Sequence, residues 1–192
     1  QVDMSKGNWL VLSSANYFLD DAKDLCEIQG WYYQFKGRNS IPLKLLMALN
    51  NWEAWRKDAQ LNHLEIKNIY EYLGSHVLPG FQKGKTLHSD TKYLMRDCRA
   101  EHGLVTDSVW YEAFEGLDNM TETYIRNMRA NGEMINKNPR IIMSTIHGAK
   151  GGEADKVLLM QDITNAALET FSHDPDELHR LFYTGATRAK RE

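Results

Sequence analysis

The spacing of apolar and polar residues at the start of the chain predicts a strand, a helix and a second strand. Residues 8–14 form a short, continuous apolar run, which is typical of a buried strand. Residues 17–28 continue at helical spacing. The predicted buried face of this helix comprises Phe18, Ala22, Leu25 and Ile28. Residues 31–35 are mostly aromatic, as expected of a second strand. This succession of elements indicates a parallel α/β unit.

The pattern becomes mainly helical after Gly37. Five segments carry helical periodicity, and glycines or polar stretches separate them: 43–55, 64–73, 93–100, 108–114 and 120–130. We interpret residues 42–138 as an all-helical insertion. Strand patterns return at 140–144 and 156–160, and a final helix is predicted over 175–190. The sequence therefore predicts an α/β fold that a helical segment interrupts.

Two domains follow from this division. Residues 1–41 and 139–192 would form one discontinuous domain, a parallel sheet with flanking helices. Residues 42–138 would form the insertion subdomain. Alternating strands and helices favour a parallel sheet because a helix is the usual connection between parallel neighbours.

Composition narrows the class of protein. The chain has 192 residues, of which 42% are hydrophobic and 26% charged, as in ordinary folded domains. Its net charge of −3 gives no global attraction to nucleic acid, so any such binding needs a local site. No apolar run approaches the roughly 18 residues of a membrane helix, and no signal peptide is recognisable. Cys26 and Cys98 form no CxxC pair and indicate reduced thiols in a cytoplasmic protein.

The densest chemical signal lies between the two later strands, in residues 144–155. This segment reads STIHGAKGGEAD, a glycine-rich turn with Thr and Lys. Such a turn can present backbone N–H groups to a phosphate, because Gly148, Gly151 and Gly152 leave the backbone unobstructed. The alternative is a tight connection with a surface lysine.

A second signal lies in the final helix. At helical spacing Arg180, Tyr183 and Thr187 fall on one stripe, with Arg188 beside it. Taken alone, this stripe is better explained as a solvated face.

Together the two segments resemble motifs V and VI of superfamily 1 DNA helicases, in the UvrD/Rep/PcrA branch. The matching residues are 145–153 (TIHGAKGGE) and 180–188 (RLFYTGATR), in the family's order and spacing. The resemblance implies the second RecA-like domain of an ATP-dependent DNA helicase. Such an enzyme couples ATP hydrolysis to movement along single-stranded DNA and to unwinding of duplex, for example in DNA repair, and ATP and Mg²⁺ are its cofactors.

The resemblance assigns three residues to the nucleotide. Arg188 would be the catalytic arginine that contacts the γ-phosphate, a role that suits a guanidinium because it stabilises charge in the transition state. Gly152 and Glu153 would join Arg188 in binding the nucleotide, with Glu153 accepting a hydrogen bond from the ribose. The resemblance assigns no protein ligand to a metal in this chain.

Five further residues are implied to act on the DNA side. Thr145, His147 and Lys150 would contact the single strand. Such contacts to phosphates position a strand without recognising its sequence. Arg180 and Tyr183 would couple the nucleotide site to the DNA site, although packing residues would give the same pattern. Single-stranded and junction DNA are the expected partners.

Some family features are missing from the chain. The family's motif IV commonly carries Arg-Ser-Asn, whereas residues 13–15 read Ser-Ser-Ala, so Arg38 is only a candidate substitute. No Walker A or Walker B motif is present. Residues 80–86 (GFQKGKT) are one residue short of a P-loop, and we interpret them as a basic loop. We therefore expect a fragment that is inactive alone and is completed by an N-terminal RecA-like domain of the same protein.

Two alternatives remain open at this point. The parent protein could be a helicase–nuclease recombination subunit, whose motor motifs are similar. It could also be a non-catalytic nucleic-acid-binding relative, which the missing motif IV arginine favours. A plain phosphate-binding α/β domain is a third, weaker explanation.

Overall fold

The computed structural model describes residues 2–78, 87–133, 138–149 and 151–190. The strands are β1 (Trp9–Ser13), β2 (Tyr33–Phe35), β3 (Arg38–Asn39), β4 (Leu61–Asn62), β5 (Lys92–Tyr93), β6 (Ile141–Thr145) and β7 (Lys156–Leu159). The α-helices are α1 (Asp20–Gln29), α2 (Leu43–Trp55), α3 (His63–Tyr70), α4 (Met95–Glu101), α5 (Trp110–Ala113), α6 (Asn119–Ala130), α7 (Asn165–His173) and α8 (Pro175–Ala186).

The chain divides into two compact units. The first contains Gln1–Ser40 and Tyr124–Glu192, and the second contains Ile41–Thr123. The first unit is built on a five-stranded sheet in the order β3-β2-β6-β1-β7. Strands β2, β6, β1 and β7 are parallel, and β3 is antiparallel to β2. This mostly parallel sheet with flanking helices confirms the predicted α/β, RecA-like fold class.

Strand β1 lies between β6 and β7 in the sheet, and this position explains why its sequence is almost wholly apolar. All five residues are buried, as a strand with neighbours on both edges and helices on its faces requires. Leu10 and Leu12 point to one face and belong to a core cluster with Ile146. Leu181 and Phe182 of α8 pack against that cluster and hold the last helix to the sheet.

Helix α1 differs from its predicted orientation. Ala22 and Cys26 are its buried residues, whereas Ile28 is 68% exposed, so the predicted placement of Ile28 in the core is wrong. The helix ends at Gly30, whose φ of +67° lies in the left-handed region. A Cβ at Gly30 would lie 2.4 Å from the backbone carbon of Asn127 in α6, so only glycine permits this approach.

The second unit is helical, with one exception that the sequence pattern did not predict. Strands β4 and β5 form a two-stranded antiparallel ladder, in which Leu61 pairs with Tyr93. The core contains Trp52 and Trp55, both fully buried, with ring centroids 6.2 Å apart in an edge-to-face arrangement. Their indole N–H groups donate to the carbonyls of Ser108 and Tyr93, both at 3.0 Å, which satisfies the polar edge of each ring.

The carboxyl-terminal part differs from the prediction at two points. Helix α7 is an additional element, and the Thr164 hydroxyl caps it by accepting from the Ala167 N–H at 3.1 Å. The last helix ends at Ala186 instead of residue 190. It stops there because the residues that follow bond to Ala154 near the start of β7.

Both cysteines are free and buried, and burial raises the pKa of the Cys26 thiol to about 12 and that of Cys98 to about 11. Within the described residues, no helix combines the length and the apolar content that crossing a membrane requires. The basic segment 80–86 lies outside the described residues.

Candidate functional site

The glycine-rich loop runs from the end of β6 back to the start of β7. Because β6 and β7 are both parallel to β1, the loop runs from the carboxyl ends of these strands to their amino ends. The Thr145 hydroxyl accepts from the Gly148 N–H at 3.1 Å, and the Thr145 carbonyl accepts from the Ala149 N–H at 3.0 Å. The Gly152 N–H then donates to the Ala149 carbonyl at 2.9 Å. Two successive turns therefore shape the loop, and Thr145 fixes the first.

Gly148 is required by this geometry. A Cβ at this position would lie 2.7 Å from Ser144 Oγ and 3.1 Å from Thr145 Oγ1. A side chain here would displace the hydroxyl that closes the turn, so the family-like sequence of this loop has a steric basis.

The end of the loop meets the residues just beyond α8. The Ala154 N–H donates to the Arg188 carbonyl at 3.2 Å, and the Lys190 N–H donates to the Ala154 carbonyl at 2.9 Å. These two bonds bring Gly152 and Glu153, which precede Ala154, into the same neighbourhood as Arg188. The three residues that the resemblance assigns to the nucleotide therefore have neighbouring backbones.

Asp155 clamps this junction, and sequence reasoning missed it. Its carboxylate accepts from Asn8 Nδ2 at 2.8 Å and from Lys190 Nζ at 3.3 Å. These hydrogen bonds, first from Asn8 and then from Lys190, hold the pKa of Asp155 below its ordinary value. The clamp joins the segment before β1, the start of β7 and the turn that carries Arg188.

Arg188 is partly buried, and its Nε atom is buried without a hydrogen-bond partner among the described residues. A buried guanidinium N–H without a partner is costly, and an anionic oxygen satisfies it well. The donors therefore fit a phosphate group, and the exposed carboxylate of Glu153 fits a sugar hydroxyl. No group of three or more carboxylate, imidazole or thiol side chains is clustered in the part of the chain that the structure describes. Arg188 and Glu153 would therefore suit the phosphate and the ribose of a nucleotide such as ATP.

The residues assigned to DNA lie at the carboxyl end of β6. His147 is exposed and lines a pocket of about 290 Å³ together with Arg180. The other lining residues are Ile146, Ala167, Glu177, Leu178, Leu181 and Thr184. Thr145 lies at the end of β6, two residues before His147. Lys150 lies outside the described residues.

Arg180 and Tyr183 both face outward on α8. The Arg180 guanidinium pairs with the Asp174 carboxylate at 3.2 Å, and Asp174 also caps the helix by accepting from the Asp176 N–H at 3.1 Å. Tyr183 is 70% exposed, so it does not pack in the core of its unit. Asp174 was missed by sequence reasoning, although Asp immediately before Pro175 is a helix-start signal that could have revealed it.

Close contact between α8 and the sheet depends on Gly185, a third missed residue. A Cβ there would lie 2.9 Å from Leu159 Cδ1 and 3.5 Å from Ile146 Cγ1. A glycine inside a helical pattern often marks such an approach and was the available signal.

Arg38 does not join the Arg188 cluster. It lies on β3, and the sheet order places β3 and β7 at opposite edges. Where the missing arginine was expected, the Ser14 hydroxyl donates to the Asp162 carbonyl at 2.7 Å, and Ser13 is fully buried. The replacement of the motif IV arginine by Arg38 therefore stays a prediction, which this strand order does not favour.

Comparison with known proteins gives one match. The family model of the UvrD-like helicase C-terminal domain matches residues 81–192, a range that includes both the glycine-rich loop and α8. No curated protein and no solved structure matches the chain. Because the matched range covers more than half of the 192 residues, the chain belongs to the UvrD-like helicase C-terminal domain family.

Proposed function

We propose that this chain forms the second motor domain of an ATP-dependent DNA helicase, which couples ATP hydrolysis to translocation on single-stranded DNA and to duplex unwinding. Family membership supports the helicase class. The motor assignment is supported by Arg188, whose Nε is buried without a hydrogen-bond partner among the described residues and whose backbone carbonyl accepts from the N–H of Ala154, next to Glu153.

ATP supplies the γ-phosphoryl group that is transferred to water. Arg188 donates to the oxygens of that group and stabilises the charge that develops on them in the transition state. Glu153 accepts a hydrogen bond from the ribose, and Gly152 lets the backbone approach the nucleotide. We assign the remaining phosphate contacts and the Mg²⁺ ligands to an N-terminal RecA-like domain of the same protein.

At the carboxyl end of β6, Thr145 and His147 contact the single strand. Lys150 from the same loop contacts it as well. Arg180 and Tyr183 transmit the state of one site to the other. Two features support this coupling. One loop runs from the carboxyl end of β6 to the amino end of β7, and α8 extends from the His147 pocket toward Arg188. We further propose that the protein works in the cytoplasm, where its two buried thiols stay reduced.

The proposal is tested by the ATPase activity of the complete protein, with and without single-stranded DNA. Arg188→Ala is expected to lower kcat by roughly 10³-fold or more, with nucleotide binding mostly kept. Arg96→Ala removes an exposed arginine from the second unit and is the matched control, expected to change kcat little. A kcat for Arg188→Ala close to that of the wild type would contradict the assigned role.

A non-catalytic DNA-binding relative is the second candidate. The observation that favours it is the pair of serines, Ser13 and Ser14, where a second phosphate-binding arginine is expected. A complete wild-type protein that binds single-stranded DNA without hydrolysing ATP would establish this candidate. A nuclease domain in the complete protein would instead identify a recombination subunit with the same motor.

A further inference from the structure

We propose that Asp155 is a positioning residue for ATP hydrolysis, which holds the turn beyond α8 so that Arg188 keeps its place at the phosphate. The inference rests on the proposed function and deepens it, because it adds a residue that acts through Arg188 and does not itself touch the nucleotide. The feature that carries it is a pair of contacts made by one carboxylate, to Asn8 Nδ2 at 2.8 Å and to Lys190 Nζ at 3.3 Å.

A short backbone ladder attaches the turn that carries Arg188 to β7. Helix α8 ends at Ala186, and beyond it Ala189 forms a parallel bridge with Ala154. The Ala154 N–H donates to the Arg188 carbonyl at 3.2 Å, and the Lys190 N–H donates to the Ala154 carbonyl at 2.9 Å. Strand β7 is an edge strand, so a ladder of two bonds along it opens more readily than the centre of the sheet.

Asp155 reinforces this ladder because it follows Ala154 directly in the chain. Its Oδ1 atom accepts from Lys190 Nζ, so the side chains bridge the same two segments that the ladder joins. The ion pair alone is weak, since the side chains of Asp155 and Lys190 are 46% and 53% exposed and solvent screens their attraction. Its effect therefore depends on how firmly the carboxylate is held in place.

Asn8 holds the carboxylate of Asp155 from the body of the sheet. Its Nδ2 atom donates to the second carboxylate oxygen, Oδ2, at 2.8 Å. The Asn8 carbonyl accepts from the Lys156 N–H of β7 at 3.1 Å, and the next residue, Trp9, donates its N–H to the Arg140 carbonyl before β6 at 2.7 Å. The anchor is therefore tied to both neighbours of β1, and the carboxylate passes that fixed position on to the turn.

The place of Arg188 determines how well it stabilises a transition state. Its Nε is buried without a partner among the described residues, so the position of this donor depends on the backbone of the turn. A displacement of about 1 Å in a positioned group can lower a rate by about 10²-fold. Loss of the clamp would shift the turn and slow hydrolysis. It would leave ATP binding largely unchanged, because we assign the remaining phosphate contacts to another domain.

The test measures ATP turnover of the complete protein at saturating single-stranded DNA. Asp155→Ala removes both contacts, and we expect kcat to fall roughly 5- to 20-fold while the KM for ATP changes less than about 2-fold. Asp155→Asn keeps one accepting oxygen and should fall between the wild type and Asp155→Ala. Asp20→Ala removes an exposed carboxylate that pairs with Lys23 on α1, and this matched control should leave kcat unchanged. A wild-type kcat for Asp155→Ala would overturn the proposal.

A double variant separates positioning from a general loss of stability. Because Asp155 acts through Arg188, adding Asp155→Ala to Arg188→Ala should lower kcat no further. Equal fold losses from Asp155→Ala in the wild-type and Arg188→Ala backgrounds would contradict the proposal. The two hypotheses fail separately. A wild-type kcat for Arg188→Ala removes the proposed function, whereas a wild-type kcat for Asp155→Ala alone removes only the positioning role.

Hydrogen–deuterium exchange tests the same clamp without ATP. The amides of Ala154 and Lys190 donate the two bonds of the ladder. Asp155→Ala is therefore expected to speed their exchange about 10-fold, and Asp20→Ala is expected to leave it unchanged. Unchanged exchange in Asp155→Ala would show that the carboxylate does not hold the turn, and would overturn the proposal whether or not the protein hydrolyses ATP. Faster exchange in a protein without ATPase activity would remove the positioning role together with the proposed function.

Discussion

Two arginines of the same motif occupy opposite environments. Arg188, just beyond α8, is partly buried, its backbone is bonded to Ala154, and its Nε has no partner among the described residues. Arg180, eight residues earlier and about 12 Å away along an ideal helix, has a side chain that is 71% exposed and paired with Asp174. The fold holds the first and leaves the second accessible to solvent.

Under the proposed function, the two arginines would serve two kinds of chemistry. A group that stabilises a transition state must be held in place, and burial of the Arg188 Nε restricts that side chain. A group that grips a moving strand must release it, and an exposed ion pair worth at most about 1 kcal/mol is easily exchanged. We therefore expect changes near Arg188 to affect turnover, and changes near Arg180 to affect DNA affinity.

The largest effect is expected from Arg188→Lys, which keeps the charge but not the planar, forked donors. Because the buried Nε–H is lost, we predict that kcat falls at least about 10²-fold in the complete protein. The measurement is steady-state ATP turnover at saturating single-stranded DNA. Full activity with lysine would mean that charge alone is needed and that the buried donor has no role.

Gly185→Val should separate α8 from the sheet and so disturb both arginines together. The added side chain meets Leu159 and Ile146, and such overpacking typically costs about 1–3 kcal/mol of unfolding free energy. Urea denaturation measures this loss. Ala186→Val introduces the same side chain at the adjacent exposed position and is the control, although it lowers the intrinsic helix propensity, which Gly185→Val raises. Equal losses in both variants would show that α8 does not need the close approach.

Arg180→Gln should weaken the grip on the strand and leave chemistry intact. We predict that the DNA concentration for half-maximal ATPase stimulation rises roughly 2- to 5-fold, as expected for one exposed charged contact. The turnover at saturating DNA should stay close to that of the wild type. A large fall in that turnover would place Arg180 in the chemical step and would remove the distinction between the two arginines.

The smallest effect is expected from Asp155→Asn and depends on pH. The pKa of Asp155 is lowered in the folded state, so its carboxylate stabilises the fold above the unfolded pKa, and this contribution is lost as the pH falls through the folded pKa. Between about pH 5 and pH 3, the unfolding free energy of the wild type should therefore fall more steeply than that of the variant. Asp24→Asn controls for the loss of an exposed charge. Identical slopes in wild type and Asp155→Asn would show that the clamp is not formed in solution.

Local patterns predicted the long elements of the fold well. Helix α2 spans 43–55 as its apolar spacing indicated, and β1 is the buried strand that its continuous apolar run predicted. Strands β4 and β5 were not predicted because each has two residues, too few for a periodic signal. Ile28 was misplaced because helical spacing shows which residues share a face of the helix. It does not show which of them contact a neighbouring element.

The site was predictable only as far as its residues are adjacent in sequence or belong to a family pattern. The two segments that carry Glu153 and Arg188 were identified from such patterns, and the structure brings them together through Ala154. The Asp155 clamp joins Asn8 to Lys190, residues far apart along the chain, which no spacing argument could pair. The pocket at His147 was equally hidden, because one of its walls is the unpredicted helix α7.

The most direct test measures ATP turnover and single-strand affinity side by side for Arg188→Ala and Arg180→Ala in the complete protein. The account predicts that Arg188→Ala loses turnover by roughly 10³-fold or more while its affinity for DNA stays close to that of the wild type. It predicts the reverse for Arg180→Ala, a loss of affinity with turnover kept at saturating DNA. Equal losses of both properties in both variants would contradict the separation of the two sites.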